Sequence, residues 1–84
     1  LDGFPHIDEC HFLLQTLHLI HKAAPQTGVS QTVRILGRAG MQQSIATALV
    51  HLCAAHMVQR TVALTDAEET EDIRWWRDVA RAAA

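Results

Sequence analysis

Six histidines and two cysteines in 84 residues raise the first chemical question, which is whether they could hold a metal. On a helix, His18 and His21 would stand three apart, His11 and His18 seven apart, and His6 and Cys10 four apart. Helical ligand pairs use such spacings, because those residues share a face. No HExxH, no CxxC and no converging carboxylate accompanies them. His11 and His18 fall instead on a polar face with Gln15 and Lys22, where solvated histidines are ordinary. Neither a metal nor a cofactor is expected.

Nucleophilic catalysis has no better footing. Ser30 and Ser44 lack a nucleophile elbow, and no glycine-rich phosphate loop is present. Cys10 and Cys53 lie within apolar helical patterns and lack an electropositive setting. Two such cysteines read as reduced, buried thiols of a cytoplasmic protein rather than as a disulfide scaffold. The chain is not expected to be an enzyme.

His56 differs from the other histidines because it sits one turn from Leu52 on an apolar face. It is either a neutral core histidine with a hydrogen-bond partner or an interface histidine that meets another protein. Trp75 and Trp76, flanked by Arg74 and Arg77, form the other conspicuous cluster. Trp76 reads as core. Trp75 is either a core edge or an exposed anchor of the Trp and Arg kind that dominates binding hot spots.

These residues need helices to position them. FPHIDECHFLLQTLHLIHKAA (4–24) reads as the first, with Pro5, Asp8 and Glu9 at its start and Lys22 at its end. Ile7, Cys10, Leu13, Leu14, Leu17, Ile20 and Ala24 form its main apolar stripe. Phe12 and Leu19 form a second stripe away from it. PQTG (25–28) is expected to break the helix. Val29, Val33 and Leu36 resume helical spacing, and GRAG (37–40) leaves open whether 30–60 is one helix or two.

The segment MQQSIATALVHLCAAHMVQ (41–59) contains no Asp, Glu, Lys or Arg. Ile45, Leu49, Leu52 and His56 line one of its faces, and Ala46, Val50, Cys53 and Met57 a neighbouring one. That apolar arc is wider than a single partner helix covers. Three Gln and two His argue against a membrane span, and no signal peptide is visible. At the end of the chain, Thr65 with Glu68 reads as a capping box. The acidic residues then gather at the helix start, and Arg74, Arg77 and Arg81 lie toward its end.

Composition supports an all-α domain over residues 1–84. Apolar residues make up 49% of the chain, Tyr is absent and the net charge is −2, which offers little to a sheet or to a polyanion. A helix-turn-helix reading of residues 31–52 supplies a turn glycine at Gly40, but its second helix has no cation for DNA phosphates. Direct nucleic-acid binding is not expected.

Across roughly residues 8–57, two helices joined by PQTG, with MQQSIATALVHL in the second, resemble the small all-helical antiactivators of bacterial quorum sensing, of the TraM and QslA types. The resemblance rests on helix layout and on the spacing of Met41, Ile45, Leu49 and Leu52. It implies a homodimer without enzymatic activity that blocks a LuxR-type transcription regulator through apolar helix faces. A helical-hairpin chaperone of a secretion system has a similar pattern.

The expectation is thus three or four helices, an antiparallel hairpin plus a C-terminal helix, assembled as a dimer. The protein would be cytoplasmic and would act by binding another protein, with no membrane contact. Phe12, Leu19, Ile45, Leu49, Leu52, His56, Met57 and Trp75 are the candidate contact residues.

Overall fold

The computed structural model describes residues 7–65 and 70–84, with side chains for 8–61 and 70–84. Four helices follow one another: α1 (Ile7–Leu19), α2 (Pro25–Arg38), α3 (Gln43–Thr65) and α4 (Glu71–Ala82). Among the described residues there is no strand, and no helix is long and apolar enough to cross a membrane.

Helix α1 begins with Asp8 and Glu9 at its positive end and carries His18 in its last turn. Cys10 and Leu14, one turn apart, are fully buried. The helix ends at Leu19, short of the expected 24, because Lys22 takes a left-handed conformation (φ 52°). The Ala23 N–H then closes on the Leu17 carbonyl at 2.9 Å.

PQTG does not break a helix; it starts one. Pro25 occupies the first position of α2, where its fixed φ is already helical and its missing N–H costs nothing. Ala24 before it is extended (φ −64°, ψ 153°), as a residue preceding proline prefers. Gly28, Thr32 and Leu36, spaced four apart, form the buried edge of α2.

Residues 30–60 are two helices, and GRAG separates them. Gly40 adopts φ 100°, with its N–H on the Gly37 carbonyl at 3.0 Å and the Met41 N–H on the Leu36 carbonyl at 3.1 Å. That pair of bonds is a Schellman termination, which calls for a residue without a Cβ at its left-handed position.

Helix α4 is capped by Thr70, whose hydroxyl accepts from the Ile73 N–H at 3.2 Å. Thr65, the expected cap, is the last residue of α3, and Glu68 lies outside the described residues. With Glu71 and Asp72 in its first turn and Arg81 in its last, α4 keeps the expected polarity but starts one turn later.

The core forms where α3 meets α4, with α2 against both and α1 laid over α2 and α3. It contains Leu14, Leu36, Ala46, Leu49, Val50, Ala54, Trp76 and Val79. His51 ties α3 to α4: its Nδ1–H donates to the Ala80 carbonyl at 2.7 Å. A carbonyl can only accept, so the bond sets the imidazole tautomer.

Candidate interaction surface

The expected contact residues divide between surface and core. Phe12 is 68% exposed and Leu19 56%, both on the side of α1 away from Cys10 and Leu14. Ile45 is 54% exposed, Leu52 42%, and His56 is exposed beside them on the outer side of α3. His56 is therefore not a core histidine. Ile20 and Ile35 add two more exposed aliphatic side chains.

Leu49 and Trp75 are corrections, and Met57 is partly one. Leu49 is 6% exposed because its side of α3 turns inward with Ala46, Val50 and Cys53. Met57 is half-buried and packs against the same cluster. Of the two readings of Trp75, core edge holds: it is 8% exposed, and its Nε1–H donates to the Ala23 carbonyl at 2.8 Å. The bond offsets the cost of taking the indole N–H out of water.

The ring of Trp75 reaches the α1–α2 connection from the far end of the sequence. Gly28 makes room for it: a Cβ built there would lie 3.2 Å from Cζ2 and 3.3 Å from Cη2 of the ring. His18 stacks on the other side, with ring centroids 4.2 Å apart and planes inclined by 21°. Trp76 meets Trp75 edge-on at 5.1 Å and 85°.

The two histidines expected on a solvated face are thus part of the α1–α4 contact. His18 Nε2 lies 2.7 Å from Asp72 Oδ1, an arrangement in which the imidazole N–H donates to the carboxylate. His11 approaches Trp76 edge-on at 5.9 Å. Sequence reasoning missed this cluster because its partners stand 54 positions away. The signal that could have found it is the excess of ring-bearing residues on both helices, His11 and His18 opposite Trp75 and Trp76.

Chemically, the cluster is a clamp. His18 has one nitrogen on Asp72 and one ring face on Trp75. An open cleft of about 500 Å³ borders it, and Lys22, Arg74, Glu71 and Asp78 are among its lining residues. Two cations and two carboxylates line it, so the cleft presents no single sign of charge to a ligand. Among the described residues, no three His, Cys, Asp or Glu side chains are grouped to hold a metal.

The helix-turn-helix alternative can be placed as well. The four residues 39–42 join α2 to α3 around Gly40, a turn length that motif uses. Yet the outer side of α3 from Ile45 to Gln59 is aliphatic, His and Gln, with no cation for a phosphate. Comparison with protein-family models, curated proteins and solved structures gave no match to the chain.

Proposed function

We propose that this chain is a non-enzymatic, cytoplasmic regulatory protein that forms a homodimer and binds and inhibits another protein. The partner class we favour is a LuxR-type quorum-sensing transcription regulator. One observation supports the interaction reading above others: among the described residues, six large apolar side chains, Phe12, Leu19, Ile20, Ile35, Ile45 and Leu52, are at least 37% exposed. Single exposed apolar residues are ordinary, but contiguous faces on helices mark binding surfaces. Ile45, Leu52 and His56 share one such face, and the helix beneath it carries no charge from 41 to 59. At ~25 cal/mol per Å² of apolar area, an interface of ~1,600 Å² would offset much of the cost of association.

The favoured partner class draws on the resemblance of residues 8–57 to the antiactivators. The test is co-expression with each LuxR-type regulator of the source genome, read by a promoter reporter and by size-exclusion chromatography of the mixed proteins. The expected result is a stable complex and a fall in reporter output, both reversed by Phe12→Ala. No complex with any of those regulators, and an unchanged reporter, would refute the partner class. Sedimentation equilibrium tests the dimer separately: a folded monomer at ~100 μM, a Kd weaker than about −5.5 kcal/mol, would refute self-association.

A further inference from the structure

The outer side of α3 has a pattern that the core does not require. Ile45, Ala48, Leu52, Ala55 and Gln59 follow one another at alternating steps of three and four residues. Such steps set side chains in one seam along a helix, here ~21 Å long at 1.5 Å per residue. The buried residues Ala46, Val50, Cys53 and Ala54 turn the other way, into the molecule. Ile45 and Leu52 are 54% and 42% exposed. Ala48 and Gln59 are exposed as well, and Ala55 is half-buried, so the seam is open.

Charge and shape both suit the seam to a second copy of itself. In a two-fold contact, groups near the axis meet their own equivalents, so a charge there would face its own sign. Residues 41–59 carry no Asp, Glu, Lys or Arg, and a copy laid along them brings no like charges together. That charge-free stretch is centred on Val50. The order of side-chain sizes reverses about the same level. In an antiparallel copy with its axis there, Ile45 stands opposite Ala55 of the second copy, and Ala48 opposite its Leu52. Each pairing occurs twice, so every large side chain of the seam meets an alanine. A parallel copy would oppose Ile45 to Ile45 and Ala48 to Ala48, which crowds one layer and leaves the next empty.

We infer that α3 is the homodimer interface, in which two copies pack antiparallel along the 45–59 seam about a two-fold axis at the level of Val50. The alanines allow the helix axes to approach to ~8 Å, at the ~20° crossing of interlocked helices. The assignment rests on the homodimer reading above and specifies the face that carries it. It leaves Phe12, Leu19 and Ile20 of α1 for the inhibited regulator.

Sedimentation equilibrium of the full chain at ~100 μM is the test. Wild type should be a dimer. Ala48→Lys and Leu52→Glu should each be monomeric, because each sets a lone charge in the seam. Both should stay folded by circular dichroism, since both positions are exposed. The double variant Ala48→Lys/Leu52→Glu should dimerise again, because the antiparallel register sets each new ammonium against a new carboxylate of the other copy. A parallel register sets like against like and predicts no recovery. Phe12→Ala should remain a dimer.

A wild-type monomer would overturn this inference together with the homodimer reading. A dimer that survives Leu52→Glu would leave that reading standing and overturn the assignment to α3. A double variant that stays monomeric would overturn the antiparallel register. Where a variant fails to fold, the wild-type chain decides. On dilution its Ile45, Ala48 and Leu52 methyl resonances should shift, and isotope-filtered spectra of mixed labelled and unlabelled chains should join Ala48 to Leu52 across copies. Dilution shifts confined to α1 would overturn the proposal.

Discussion

Adding one methyl group at Gly28 measures how firmly Trp75 is held. In an unobstructed helix, Gly→Ala stabilises by ~1 kcal/mol. At Gly28 the new Cβ would meet Cζ2 and Cη2 of Trp75 at 3.2 and 3.3 Å, so the ring must retreat by a few tenths of an ångström. It cannot do so freely. Its Nε1–H is fixed on the Ala23 carbonyl at 2.8 Å, and His18 is stacked on it at 4.2 Å. Overpacking of this kind costs ~1–3 kcal/mol, which exceeds the propensity gain and leaves a net loss of about 1 kcal/mol. Gly37, in the same helix with nothing within 4 Å of its Cβ position among the described residues, supplies the control and should gain ~0.5–1 kcal/mol. At 4–8 °C per kcal/mol for a domain of this size, thermal melts of the two variants should separate by roughly 10 °C. Trp75→Phe removes the obstructing atoms, so in that background Gly28→Ala should lose its penalty. A Gly28→Ala variant that melts above wild type, or a double-mutant cycle additive within ~0.5 kcal/mol, would show that the indole is not clamped.

The remaining predictions are simpler. Thr32 is fully buried and its hydroxyl has no hydrogen-bond partner among the described residues, so Thr32→Val should raise stability by ~1 kcal/mol in urea titrations at an unchanged m-value. Lys22→Gly should stabilise by about 1 kcal/mol by removing a Cβ from a left-handed residue, whereas Gly40→Ala should destabilise by a similar amount. Thr70→Ala should cost ~1 kcal/mol through loss of the α4 cap, and Thr65→Ala should not act on that cap. Phe12→Ala and Leu52→Ala should leave the melting temperature within a few degrees of wild type, because both side chains are already wet; Leu49→Ala should cost ~2–5 kcal/mol.

Much of this fold was legible because helix periodicity is a local property. The spacing of Cys10 and Leu14, of Val29, Val33 and Leu36, and of Ile73, Trp76 and Ala80 marks three inner faces without reference to any tertiary contact. Boundaries were less legible. PQTG reads equally as a break or as a proline-led start, and only the left-handed Lys22 upstream decides between them. Thr65 and Thr70 both suit a cap, and the length of α3 decides in favour of Thr70. The clamp was not legible at all. Trp75 depends on a carbonyl 52 positions away, His18 on a carboxylate 54 away, and His51 on a carbonyl 29 away. No local pattern encodes such pairings. For the same reason α3 could be seen to have a wide apolar arc, but its division into a buried half at Leu49 and an exposed half at Leu52 required the packing of α4 and α1.

Both tryptophans stand on one helix, and the chain has no tyrosine, so its indole emission originates entirely in α4. Each indole touches an imidazole of α1, Trp75 through the face of His18 and Trp76 through the edge of His11. Any event that lifts α1 away changes the surroundings of both fluorophores at once. Events confined to the outer sides of α2 or α3 leave them undisturbed. The two indoles are also in contact with each other, nearly perpendicular, which couples their electronic transitions and lends the folded molecule an aromatic circular-dichroism signature. The unlabelled protein therefore carries its own optical gauge of whether the first helix is docked.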